Sequence, residues 1–342
     1  MSKKNYYLVL DTETATLPCV NEIANSDKER KNIAIAKPLV YDVGWVIMDT
    51  KGNIEKKVNY LVQETFAVPV IFNTAYYADK RPLYIAMLKA NTIALKVWND
   101  IVSELLEDCK KCRAVCAYNA AFDFKKAIPF TERYIEAVYS ENFAEFENKE
   151  KWNCKRIAKG QNDRKNPDYT NPVFHLREND FDIIDIMDLA VNRILNSDKY
   201  RHFALNNGLI TEGIQSFSAT AENCYRYIHR NTDFIESHTA LDDALIESEI
   251  LVKILRKGKP EYSIQCFAGA KIGNTIDFAI EKHKKSIGFL IDSLSKYLVN
   301  RIGDLTFLAM IEEENPGVIR SPYYRKLSTQ YLRLVKAGVS NG

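Results

Sequence analysis

The sequence predicts an α/β fold, a mixed five-stranded sheet flanked by helices with a mostly helical C-terminal extension. Three observations lead there. β-rich apolar runs open the chain at Tyr6–Leu10, Val40–Met48 and Ile54–Val62. Two further runs, Arg113–Tyr118 and the one starting at Phe181, alternate with stretches of helical period, as crossover units of an α/β sheet do. Beyond the break at Lys257-Gly258-Lys259-Pro260 no strand pattern is visible. Residues 1–257 therefore read as one domain and 261–342 as the extension.

The elements follow in order. Tyr6–Leu10 is a short apolar run ending at Asp11, a buried central strand. Thr16 to Lys37 is polar and irregular and reads as a long loop. Val40–Met48 and Ile54–Val62 are strands joined by the turn Asp49–Asn53. Arg81–Lys89 and Ile93–Glu107 carry helical patterns. Arg113–Tyr118 is the fourth strand, and a helix from Phe122 to about Tyr139 is kinked or restarted by Pro129. Glu147–Tyr169, rich in Lys and Arg, reads as an exposed helix and loop. Phe181–Asp185 begins the fifth strand and runs into a helix through Ile194. Thr220–His229 and Ala240–Leu255 are amphipathic helices, and Thr275–Lys285, Gly288–Arg301 and Ser328–Lys336 read as helices of the extension.

Composition excludes several classes. The 342 residues are 46% hydrophobic and 27% charged, a globular balance. Lys+Arg 47 against Asp+Glu 45 leaves a formal charge of +2, so any polyanion surface must come from local clustering. No apolar run approaches the ~20 residues of a membrane span, and the N-terminal apolar run is too short for a signal peptide. The expected location is cytoplasmic, which suits seven cysteines without a disulfide framework. Cys109, Cys112 and Cys116 lack a second pair at zinc spacing and read as ordinary semi-buried thiols.

The chemistry lies in three acidic stretches. Asp11 and Glu13 leave the first strand at i and i+2, so both side chains share one face. Two carboxylates held there repel unless a cation lies between them. Asp27 and Glu29 have the same spacing but read as a solvated loop. Asp123 ends Asn119-Ala120-Ala121-Phe122-Asp123, at a strand-to-helix junction whose dipole also favours an acid. His238-Thr239-Ala240-Leu241-Asp242-Asp243 opens a helix. Thr239 and Asp242 fit a capping box there, leaving Asp243 free to point elsewhere and His238 in the preceding loop. Taken singly, each stretch is better explained by local structure.

Together, in this order, the three resemble the motifs of the DEDDh exonucleases of the RNase H-like fold. The matching stretches are Leu8–Thr14, Asn119–Asp123 and His238–Asp243, within a resemblance covering roughly residues 5–256. That family includes proofreading subunits, RNase T and oligoribonuclease, and the last motif with Ser218–Tyr227 before it looks most like phage-encoded members. The resemblance implies a 3′→5′ exonuclease that uses two Mg2+ or Mn2+ ions. Asp11, Glu13, Asp123 and Asp243 would be metal ligands and His238 the general base. It also implies that Thr14, Leu17 and Asn119 contact the substrate, Thr14 at the terminal 3′-hydroxyl and Leu17 as an apolar wedge against the terminal base. Thr16 departs from the pattern, standing where the family usually has Gly. The expected partners are single-stranded 3′ ends, DNA favoured over RNA, and a DNA polymerase or other replication protein. An exoribonuclease, or a retired nuclease fold that binds nucleic acid or a polymerase, are the rival readings.

Two basic stretches complete the reading. Lys151, Lys155, Arg156, Lys159, Arg164 and Lys165 concentrate charge that suits either phosphate contacts or a solvated helix face. Tyr323-Tyr324-Arg325-Lys326 interleaves aromatic and basic groups, for strand binding or for docking of a terminal helix onto the core.

Overall fold

The computed structural model of the protein describes residues 5–161, 182–209 and 217–258. The extension 261–342 and the last two residues of the expected basic stretch, Arg164 and Lys165, lie outside these residues. The described chain divides into two compact units, one holding 5–161, 182–190 and 233–258, the other 191–209 and 217–232. Among the described residues, no helix is long and apolar enough to cross a membrane.

The first unit is an α/β layer structure around a six-stranded mixed sheet in the order β4-β3-β2-β1-β5-β6. The strands are β1 Tyr6–Ala15, β2 Leu39–Asp49, β3 Ile54–Val62, β4 Ala94–Lys96, β5 Ala114–Ala117 and β6 Asp182–Asp185. β1, β2 and β3 form an antiparallel meander, while β5 runs parallel to β1, β6 to β5 and β4 to β3. Leu8, Val9 and Leu10 are fully buried, as a strand covered on both faces must be. The pairing of β1 with β2 shifts register between Glu13 and Thr14. Such a bulge re-aims side chains at a strand end.

Two expectations need correction. The fifth expected strand became the sixth, because Ala94–Lys96 adds a three-residue parallel edge strand. It lay inside the expected helix Ile93–Glu107, being too short to show any periodicity. The helix itself spans Trp98–Cys109, its Trp98 N–H received by the Glu64 carboxylate at 3.1 Å. The expected loop Thr16–Lys37 instead holds α1, Val20–Ile23, and α2, Asp27–Ala36. Ser26 accepts the Glu29 N–H at 3.3 Å while Glu29 accepts the Asn25 N–H at 2.6 Å. Ser26-x-x-Glu29 is thus a capping-box spacing, and Asp27 and Glu29 are first-turn helical acids rather than loop residues.

The remaining helices lie close to expectation. Ala120–Phe122 runs through a wider turn, Asp123–Ala127, into α8, Ile128–Val138. Pro129 stands at the start of α8, where its missing N–H is tolerated. The expected exposed helix is α9, Phe143–Ala158, exposed on one face only. Its other face buries Glu150, which pairs with the buried Lys37 at 2.8 Å. Cys109 and Cys116 are buried free thiols, and burial pushes both up from the ordinary thiol range.

The helix that matters most for the site is α13, Ala240–Leu255. Ala240, Asp243, Ala244, Glu247, Leu251 and Ile254 are all buried and form one helical stripe. The stripe packs on β1 and β2. The closest approach is at Gly44, where a Cβ would stand 2.3 Å from Leu241 N and 2.5 Å from the Ala240 carbonyl carbon. Gly44 pairs with Asp11 across the sheet, so the missing side chain lets the first turn of α13 lie directly beside the first acidic pair.

The second unit is described by itself. Asp198–Asn206 and Ala221–His229 are helices capped by Ser197 and Thr220, each accepting an N–H at 3.3 Å. Tyr200 donates its hydroxyl to the Ser218 carbonyl and packs edge-on against Tyr227.

Gly44→Ala should cost about 1–3 kcal/mol, the usual range for overpacking, because the clash is with backbone rather than a flexible side chain. Chemical denaturation reads this. An unchanged midpoint would mean that α13 does not seat on Gly44.

Candidate metal centre

The three acidic stretches converge at the C-terminal end of β1. Glu13, His238 and Asp243 offer ligand atoms all within 4.8 Å of one another. Asp11 and Asp123 lie outside that trio but close enough for mutual repulsion, which raises Asp11. β1 supplies Asp11 and Glu13, the helix after β5 supplies Asp123, and the first turn of α13 supplies Asp243. Asp123 is buried, and its Oδ1 accepts the Thr12 hydroxyl at 2.6 Å.

His238 is held from two sides. Its ring stacks on Tyr77 at 4.4 Å with 14° between planes. Its Nδ1 lies 3.9 Å from carboxylate oxygens of both Asp243 and Glu236. The residue has φ +50°, a left-handed conformation that costs a non-glycine residue energy and persists only where the surroundings enforce it. Lys80 supplies that enforcement. Its ammonium donates to the carbonyls of Ser237 and His238 and sits 4.2 Å from the Tyr77 ring centre.

The electrostatics are those of a crowded acid cluster, with Asp123 and Asp243 buried and Asp11 and Glu13 half-buried. Desolvation is the largest cause at every acid here, followed for most by repulsion from the neighbours. Burial pushes Asp243 up to about 8 and Asp123 up to about 7. Burial, then repulsion from neighbouring acids, holds Asp11 and Glu13 well above the usual carboxylate range. Lys80 opposes this at Glu13 and Asp243. Asp243 Oδ1 is buried with no hydrogen-bond partner. A buried acceptor without a donor is costly, and a cation between the acids would satisfy it. Oxygen-rich donors of this kind suit Mg2+ or Mn2+.

Not every expected contact residue is placed as expected. Thr14 is half-buried and Asn119 exposed, so both are open to a ligand. Leu17 is 5% exposed and packs into the hydrophobic core. That closes the apolar face which a wedge against a base would need, and the expectation for Leu17 is corrected. The capping box also differs. Thr239 donates its hydroxyl to Asp242 at 2.9 Å but caps no N–H.

Three carboxylates outside the motifs hold this geometry, and the sequence reading missed all three. Asp42, fully buried on β2, accepts the Ala240 N–H at 3.0 Å and the Tyr84 hydroxyl at 2.9 Å. It does from across the sheet what Thr239 was expected to do locally. Asp185 closes β6 and accepts the N–H groups of Met187 and Asp188 at 3.0 and 3.3 Å, and that of Asn119. Glu247 accepts the Tyr118 N–H at 3.1 Å. Glu247 had a signal in the sequence, an acid in the apolar stripe four residues after Asp243. Asp42 had a weaker one, an acid inside an otherwise apolar strand.

No known protein family's sequence profile matches the chain, and no curated protein is similar to it.

Two outcomes follow. Asp42→Ala strands the Ala240 N–H and the Tyr84 hydroxyl and should cost about 1–3 kcal/mol or more, while Asp42→Asn keeps an acceptor and should cost less. Urea midpoints of the two variants compare them directly. The pH dependence has a definite sign. Asp42, Asp123 and Asp243 are raised to about 7, 7 and 8, from roughly 3.9 when unfolded. The folded chain binds these protons more tightly, so their contribution is complete below the unfolded value and is lost as pH rises through about 7–8. Metal-free protein should therefore melt lower at pH 8.5 than at pH 6, and a scan showing the reverse in chelator would contradict the burial of these acids.

Proposed function

We propose that the protein is a metal-dependent 3′→5′ exonuclease acting on single-stranded nucleic acid, DNA before RNA, and releasing nucleoside 5′-monophosphates. The observation that carries the reading is Asp243 Oδ1, buried and unpaired within reach of Glu13 and His238. The antiparallel β3-β2-β1 meander with parallel β5 and β6 supports an RNase H-like reading of the sheet.

Asp11, Glu13, Asp123 and Asp243 would hold two divalent cations. Bound cations neutralise charge on the phosphodiester and lower the pKa of the attacking water. The residues do the rest. Nδ1 of His238 faces the acids and takes the water's proton near neutral pH. Tyr77 and Lys80 fix the imidazole plane and its backbone, so the base needs no reorientation in each turnover. Thr14, half-buried, and Asn119, exposed, would contact the 3′-terminal nucleotide.

The decisive assay is digestion of 5′-labelled DNA and RNA oligomers with Mn2+ and with excess chelator. Shortening from the unlabelled end, abolished by chelator, is the expected result, and the two sugars are compared in the same gel. Full activity in excess chelator would overturn the reading. Asp243→Ala should be nearly inactive with a folded spectrum, whereas the exposed Asp242→Ala should stay active. His238→Ala should still bind cation but lose roughly 10²–10⁴-fold in rate, the usual worth of a general base.

A further inference from the structure

Glu247 is a carboxyl group that the proposed chemistry does not use. It is 3% exposed. One oxygen, Oε2, accepts the Tyr118 N–H at the end of β5, directly before the turn that carries Asn119 and Asp123. It lies four residues after Asp243, on the same face of α13. Backbone acceptance alone does not require a charge. Tyr118 needs one oxygen, and a neutral amide would supply it without placing a further acid among like charges. Its place indicates a second role: it is buried one helical turn along α13 from Asp243 and is bonded to the strand end that leads into Asn119 and Asp123, so it links two of the three acidic stretches.

We infer that Glu247 is a fifth carboxylate of the cation site, holding the second-motif turn through the Tyr118 N–H and lending its negative charge to the ions that the other four acids hold. It is a positioning residue with an electrostatic share, not a member of the ligand set. The inference rests on the proposed cation site. It explains why a core position carries an acid. Carboxylates that back up ligands in this way are commonly worth about 10–100-fold in metal affinity.

The test is calorimetric titration of the full chain with Mn2+ alone, on wild type, Glu247→Gln, Glu247→Asp and Asp243→Asn. Glu247→Gln keeps an acceptor for Tyr118 and removes the charge. It should melt like wild type in chelator and bind Mn2+ at least about tenfold more weakly. Glu247→Asp retains the charge and should bind more tightly than the amide variant. Wild-type affinity in Glu247→Gln, with Asp243→Asn abolishing binding, would overturn this inference and leave the cation site standing. Absence of Mn2+ binding by wild type would overturn the cation site itself. Should Glu247→Gln fail to fold, Glu247→Asp decides alone: its carboxylate is drawn back from the Tyr118 N–H by one methylene, so Mn2+ affinity at least about threefold below wild type supports the inference, and affinity within about threefold of wild type refutes it.

Discussion

The site depends on one close approach. The first turn of α13 lies on β2 where residue 44 has no side chain, near enough that a single Cβ would overlap the helix backbone. Glycine is chosen here for proximity, not for dihedral freedom. The same strand receives the helix's first free N–H on Asp42. Two constraints from one strand, a missing atom at 44 and an acceptor at 42, thus fix where α13 begins. The placement of Asp243 beside Glu13, and the left-handed turn at His238, follow from that starting point.

What this geometry creates is unfavourable without a counter-charge. Asp11 and Glu13 are half-buried and Asp123, Asp243 and Glu247 buried in one crowded region, and Lys80 acts against the repulsion at Glu13 and Asp243. Buried like charges resolve this by taking up protons or by taking up cations. Structural economy would have removed some of these acids, since apolar residues of similar size fill a core at lower cost. Their retention is the physical basis for reading the cluster as a place where something positive binds. Beside the cluster, Tyr41, Phe66, Phe72 and Tyr84 interlock edge to face at 5.0–6.3 Å, and Tyr84 donates its hydroxyl to Asp42.

Much of this was legible in the chain, for identifiable reasons. β1 and α13 were readable because each is long and has a single unambiguous pattern, an unbroken apolar run in one and a repeating stripe in the other. The acids of the three stretches were readable because each ends or begins such an element. α2 was missed because its polar face dominates its composition, although Ser26 and Glu29 announced its start. β4 was missed because three residues carry no period. Leu17 was misjudged because position in a motif says nothing about which way a side chain turns once the chain bends into α1. What Asp42 and Glu247 bond to was hidden for a different reason. Their hydrogen-bond partners, Ala240 and Tyr118, lie 198 and 129 residues away in sequence, and no local spacing encodes such contacts.

Those separations bear on how the molecule comes into being. β1 pairs in parallel with β5 more than a hundred residues downstream, and α13 reaches back across most of the first unit to lie on β1 and β2. Contacts of such long range close late and slow the search for the native state. During synthesis the N-terminal strand with its acidic pair must wait, without its partners, until residues near 255 have left the ribosome. Until then the chain has the separate acids but no cluster, so a nascent chain would not yet hold the mutual repulsion of the finished fold.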